Sequence, residues 1–278
     1  MNDKTKVVFL GSRPLGAFAL KLLSSMENIE VVACVAKKPP KEAWWDEDPY
    51  FSEHSILDSH NSLLDIDFDF GVSINYWRII PPELINPPKL GFINLHHAYN
   101  LSLRGRNMTA HAILNCRKSK RWFHGTCLHY IDDGLDTGPI IASKACDITE
   151  QDTGWSLFKK TEKLGEELLA EWLPRLCIAK APVAFPEQGH PLHLTNNKEK
   201  DYKFIKDLNE DPVLSYDFVR AYEFGGHFSP AFTIINGKKT YLTISKALGE
   251  EILLKIDSKR CVYSLCDSNN SNDGYAKI

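Results

Sequence analysis

Apolar residues in this chain fall into short, nearly continuous runs separated by stretches of helical periodicity. Residues 6–11 (KVVFLG) predict a buried strand ending in glycine. Pro14 suits the first turn of a helix reaching about Met26, with Leu15, Phe18, Leu22 and Leu23 on one face. IEVVACVA at 29–36 predicts a second strand. Further strands are predicted at 68–75 (FDFGVSIN), 91–97 (GFINLHH), 125–131 (GTCLHYI) and from 139 (PIIASKACDI). Pro81 and Pro82 open a short helix through Ile85, and residues 107–116 predict another. Continuous apolar strands interleaved with helices are those of an open, mostly parallel α/β sheet covered on both faces.

Asp152 or Thr153 can cap a long amphipathic helix to about Leu176, with Leu157, Phe158, Leu164, Leu168, Trp172 and Leu176 at helical spacing. Residues 37–52 carry prolines and charge and read as a loop, as does the polar segment 178–200. Beyond residue 201 come one or two helical stretches and short β-like runs: AFTIIN, TYLTIS, EILLKI and CVYSLC. Asn236–Gly237 is a hairpin signal between the first two. The last residues, DSNNSNDGYAKI, read as a frayed tail. Two domains are expected, at 1–185 and 186–278, the second smaller and strand-rich.

Composition narrows the class. The 278 residues are 43% hydrophobic and 25% charged, a globular profile, and no apolar run is long enough for a membrane span. The N-terminus lacks a secretory pattern, and the seven cysteines form no CxxC, so a reducing cytoplasm is expected. With 33 Lys+Arg against 36 Asp+Glu, the net charge of −3 argues against a protein built chiefly to grip a polyanion.

Three places carry candidate chemistry. Gly11-Ser12-Arg13-Pro14-Leu15-Gly16 sits at a strand–helix turn without the GxGxxG spacing; a ligand-facing helix N-terminus and a tight turn explain it equally. Asn94 and His96 share one side of a strand at its carboxyl end, where open α/β sheets bind ligands. An amide and an imidazole there can stabilise an oxyanion formed on an attacked carbonyl, although a histidine at a strand end is more often a packing residue. The loop DDGLDTG supplies Asp136, which would orient His96, or which is simply part of a turn. The histidines His96, His97, His111 and His129 fit no compact metal-ligand spacing.

Together these segments resemble the 10-formyltetrahydrofolate-dependent formyltransferase family. Asn94-Leu95-His96 and Asp136-Thr137-Gly138-Pro139 match its Asn-x-His and Asp-x-Gly-Pro elements in order and context. Tyr76-Trp77-Arg78-Ile79-Ile80-Pro81 is similar to its folate segment, Arg104-Gly105 to its arginine–glycine pair, and ITEQDTGWSLF to its long helix. The resemblance implies a Rossmann-like formyltransferase fold, no metal, and Asn94, His96 and Asp136 as the catalytic triad. It further implies that Tyr76, Trp77, Arg78, Ile79 and Ile80, with Asp132, Asp133, Gly134 and Leu135, hold the pterin of 10-formyltetrahydrofolate. One departure stands out: the SLLPxxRG stretch of many members is here His97-Ala98-Tyr99-Asn100-Leu101-Ser102-Leu103-Arg104-Gly105, without proline. His97 has no role in the family pattern and reads as an acceptor-site or surface residue.

The family's acceptors include initiator methionyl-tRNA, glycinamide ribonucleotide and nucleotide-linked amino sugars. Residues 201–278 hold 10 Lys+Arg and 11 Asp+Glu, a net of −1, where a tRNA-gripping module should be basic. The 37–52 loop is acidic and aromatic (Trp44, Trp45, Tyr50) rather than basic. The resemblance then favours a nucleotide-linked amino sugar, a dTDP-3- or 4-amino-4,6-dideoxyhexose, over methionyl-tRNA, with no nucleic acid or membrane partner. Gly11, Ser12, Arg13 and Arg104 are its expected contacts. A non-catalytic folate- or nucleotide-binding module is the reading from another class, disfavoured by the complete triad. Apolar strands of the second domain suit pairing in a homodimer and an internal core equally.

Overall fold

The computed structural model describes residues 4–38, 43, 45, 51, 54–187, 192–193, 203–206, 211–235, 237–244 and 276–277. In order, the principal elements are β1 (Thr5–Gly11), α1 (Arg13–Ser24), β2 (Ile29–Ala36), β3 (Phe70–Ile74), α2 (Pro82–Ile85), β4 (Phe92–His96), β5 (Arg104–Gly105), α3 (Met108–Ser119), β6 (Phe123–Tyr130), β7 (Ile140–Asp147), α4 (Gly154–Leu176), β8 (Leu192–His193), α5 (Pro212–Ala221), β9 (Ala231–Ile235), β10 (Lys238–Thr243) and β11 (Ala276–Lys277). The strands EILLKI and CVYSLC, the polar run TNNKEK, Trp44, Tyr50 and all but two residues of the tail lie outside the described residues.

Six strands form one sheet in the order β2-β1-β3-β4-β6-β7. The pairs β1–β2, β1–β3 and β3–β4 are parallel, and β4–β6 is antiparallel. This is the expected open, mostly parallel α/β sheet. Strand alternation sends Val7 and Phe9 into one core with Leu15, Leu20, Leu168 and Leu173, and Val8 and Leu10 into another with Leu63, Ile80 and Leu84. The first core lies under α1 and α4, the second under the short elements at 60–63 and 82–85.

The chain clusters into two compact units. One comprises Met1–Arg104, Gly125–Ala145 and Thr161–Leu192; the other comprises Gly105–His124, Cys146–Lys160 and His193–Ile278. The units are interleaved along the sequence: α3 and the start of α4 cluster with the later chain. In the second unit Arg220 is fully buried and donates to Asp217 (2.8 Å) and to the carbonyls of Thr149 and Asp152 (2.8 Å each). Arg117 on α3 binds the other Asp217 oxygen at 2.7 Å and Glu150 at 2.6 and 2.9 Å. The β9–β10 hairpin forms as predicted, with Gly237 at φ +75° in its turn.

Helix α4 starts where its caps were expected. Thr153 and Ser156 exchange backbone-to-hydroxyl hydrogen bonds (3.0 and 3.2 Å), and Asp152 accepts from the Ser156 hydroxyl (2.8 Å). Along the helix, a Cβ on Gly165 would lie 3.0 Å from Leu15 and 3.2 Å from Leu95, so glycine lets α4 press closely on α1 and β4.

Candidate active site

Antiparallel register, and not sequence proximity, builds the centre of the site. Asn94 on β4 stands opposite His129 on β6, and His96 opposite Cys127. The His129 Nδ1 lies 2.8 Å from the Tyr130 carbonyl, which can only accept, so Nδ1 carries the proton and Nε2 a lone pair. Asn94 Nδ2, 3.2 Å from that Nε2, donates to it. The Asn94 amide is thereby oriented, with its second N–H left for another acceptor. Burial and the adjacent His96 push the His129 pKa down to about 4, which keeps the ring neutral. Sequence reasoning missed this residue in its positioning role; its only signal was alternation in GTCLHYI.

His96 is held by the same logic. Its Nε2 donates to the Leu103 carbonyl (2.8 Å), its own carbonyl accepts from the Thr126 hydroxyl (3.1 Å), and its Nδ1 faces Asp136 Oδ1 at 3.6 Å. Both side chains are nearly enclosed, at 10% and 11% exposed. In the cationic form both ring nitrogens would point N–H groups at acceptors. Asp136 sits at φ +51°, a left-handed conformation that aspartate tolerates, in a loop tied by Asp132, which accepts from Gly134 N (3.1 Å) and the Thr137 hydroxyl (2.7 Å). A Cβ on Gly138 would fall 1.9 Å from the Tyr130 carbonyl, so only glycine allows the loop to fold back onto β6.

The folate-like segment packs beside that loop: Tyr76, Ile80 and Ile131 share one apolar cluster. Tyr76 is hydrogen-bonded to His60 (2.8 Å) and lies 4.6 Å from the Trp77 ring, with Lys37 over Trp77. Arg78, Asp133 and Gly134 are exposed. Ile79 is 79% exposed and Leu135 36%, two large apolar side chains left uncovered on these adjacent segments.

At the end of β1, Ser12 donates its N–H to the Ile74 carbonyl (3.2 Å) and its hydroxyl to the Asn75 carbonyl (2.9 Å). Gly11 packs against the same stretch, with Ile74 O 2.6 Å from where a Cβ would be. Gly11 and Ser12 therefore build the turn that sets Arg13, itself at φ +67°. The Arg13 guanidinium lies over the Trp45 ring (5.3 Å); burial pushes its pKa down while Glu162 on α4 pulls it up. Arg104 is half-buried. His97 is no surface residue: it is largely enclosed with Nε2 2.9 Å from Glu162 Oε1. Sequence reading gave Glu162 no role.

The chain matches the formyl transferase family over residues 5–173. It belongs to that family. Among curated relatives, the methionyl-tRNA formyltransferase of Listeria welshimeri is 28% identical over 190 residues, covering 63% of this chain and 60% of that protein. Among solved structures, a 4-N formyltransferase from Francisella tularensis superposes with a TM-score of 0.69 at 20% identity, covering 84% of this chain and 95% of that one. The formyltransferase PseJ from Anoxybacillus kamchatkensis, in complex with UDP-4,6-dideoxy-4-formamido-L-AltNAc and tetrahydrofolate, is 26% identical with a TM-score of 0.53, covering 70% and 89%. The family member described here thus spans under two thirds of the curated relative's length and nearly all of the Francisella structure.

Proposed function

We propose that this protein transfers a formyl group from 10-formyltetrahydrofolate to the amine of a nucleotide-linked amino sugar, a step toward formamido sugars of surface polysaccharide. The observation that carries the transfer chemistry is the convergence of Asn94, His96 and Asp136 on one face at the carboxyl end of β4. The second N–H of the Asn94 amide and the His96 imidazole are the groups that stabilise negative charge developing on a formyl oxygen, while Asp136 orients the imidazole. Tyr76 to Ile80 and Asp132 to Leu135 are the groups that would hold the pterin, and the uncovered Ile79 and Leu135 suit a flat, partly apolar ring. When bound, that co-substrate supplies the activated formyl carbon.

Arg13 and Arg104 are the cations assigned to the nucleotide sugar, with Gly11 and Ser12 forming the turn beneath Arg13. Two observations support a sugar over a tRNA: the near-neutral charge of residues 201–278 and the likeness to PseJ. The identity to methionyl-tRNA formyltransferases keeps that acceptor as the competing reading. Purified protein is assayed with 10-formyltetrahydrofolate and, separately, dTDP- and UDP-linked amino sugars and charged initiator tRNA. Formylation of an amino sugar is expected, and formylation of the tRNA alone reverses the assignment.

A further inference from the structure

Two histidine–carboxylate pairs stand side by side at the end of β4. His96 faces Asp136, and the next residue, His97, lies 2.9 Å from Glu162. The second pair has no part in the oxyanion chemistry above, yet its side chains are only 15% and 14% exposed. Enclosing a carboxylate and an imidazole costs free energy that pairing offsets only in part. Its placement follows from packing. Gly165 brings α4 onto Leu95; Glu162 lies one turn earlier on that helix face, and His97 directly follows the last residue of β4. Glu162 Oε1 is enclosed and stands off the line of a hydrogen bond to His97. Arg13, an expected acceptor contact, acts electrostatically on the same carboxylate.

A sugar amine in neutral water is largely R–NH3+ and has no lone pair to offer a formyl carbon. We propose that His97, backed by Glu162, is the group that takes the proton from this ammonium. The step leaves R–NH2 and an imidazolium beside the Glu162 carboxylate. The amine lone pair then forms the new C–N bond, the bond from the formyl carbon to folate N10 breaks, and a second amine proton passes to N10. The products are the formamide and tetrahydrofolate, and the proton held on His97 returns to water. The two pairs divide the work: one serves the formyl oxygen, the other the nucleophile. The inference rests on the acceptor being an amine, as in the function proposed above.

Of the charged groups around this pair, Glu162 faces His97, and Arg13 on α1 and Glu166 on α4 act on Glu162, with Lys163 acting on Glu166. Burial and the charge of Glu162 push the Glu166 carboxyl up. The test is the pH profile of kcat/KM for the acceptor in wild type, His97→Asn and Glu162→Gln. His97→Asn should lose about 10²-fold at neutral pH and recover most of it at alkaline pH, where the amine is already free. Glu162→Gln, nearly isosteric, should show a smaller loss of the same shape, with KM for 10-formyltetrahydrofolate unchanged in both. A loss that is equal at every pH, or no loss, overturns the proposal, and circular dichroism of each variant separates misfolding from either. If wild type formylates only charged initiator tRNA, the sugar reading fails by itself. The same profiles measured on that amine then decide the role of His97.

Discussion

Asn94 donates one amide hydrogen inside the protein, to a histidine 35 residues away in the chain. Replacing that acceptor, His129→Leu, should let the amide turn and lower kcat about 10- to 10²-fold with little change in either KM, measured by steady-state kinetics. The same ring governs a stability term. Its folded pKa of about 4 lies below the ordinary 6.5. Between those values the unfolded chain binds a proton that folded His129 refuses, so stability falls as pH drops through that window. Urea unfolding of wild type should show this slope, and His129→Leu should lose that residue's share of it. The contrast with Asn94, His96 and Asp136 shows what was legible. Those three sit in compact local patterns, NLH and DTGP, whose residue types already suggest oxyanion chemistry. His129 and Glu162 become readable only through strand register and helix packing, which a single sequence does not display.

Elements were legible where apolar periodicity decides them. Strands β1, β2, β4 and β6 and helix α4 lie within two residues of their predicted bounds, because buried runs and caps punctuate them. Helix α3 extends three residues past its predicted end, through Arg117, and stops at Lys120 in a left-handed turn. The reason lies in charge: Arg117 on its last turn binds Glu150 and Asp217, and so is worth more inside the helix than out. Nothing in the local sequence announces that α3, the 149–152 turn and α5 are joined by an ionic network centred on the buried Asp217 and Arg220. Arg220→Ala should destabilise the second unit by about 3–5 kcal/mol, because Asp217 and two carbonyls lose donors in a closed interior. Chemical denaturation monitored by tryptophan fluorescence reads this directly, and a near-neutral result contradicts it.

At the scale of the molecule, charge and segment order matter more than any motif. The near-neutral formal charge holds for the whole chain and for its last 78 residues, 201–278. Counterion release therefore offers little drive toward a polyanion. A gel-shift titration with initiator tRNA at physiological ionic strength should show no specific complex. A salt-sensitive complex at sub-micromolar protein would restore tRNA as the acceptor. The linker-like composition at 178–200 reads as a boundary in the sequence. Yet α3 and the start of α4, well upstream, cluster with the later chain. Of the described helices, none is long and apolar enough to cross a membrane.

The doublet His96–His97 also makes the site sensitive to insertion and deletion. Removing one residue from β4 ahead of the doublet would slide the strand by one and turn every side chain to the other face. An imidazole would still meet Asp136, now that of His97, but Leu95 would take the place of the amide opposite His129. The histidine is thus redundant under a frame slip and the asparagine is not. A descendant carrying such a deletion would keep an imidazole beside Asp136 without the amide donor. That is a route by which a protein of this design could lose the proposed transfer chemistry while its fold survived.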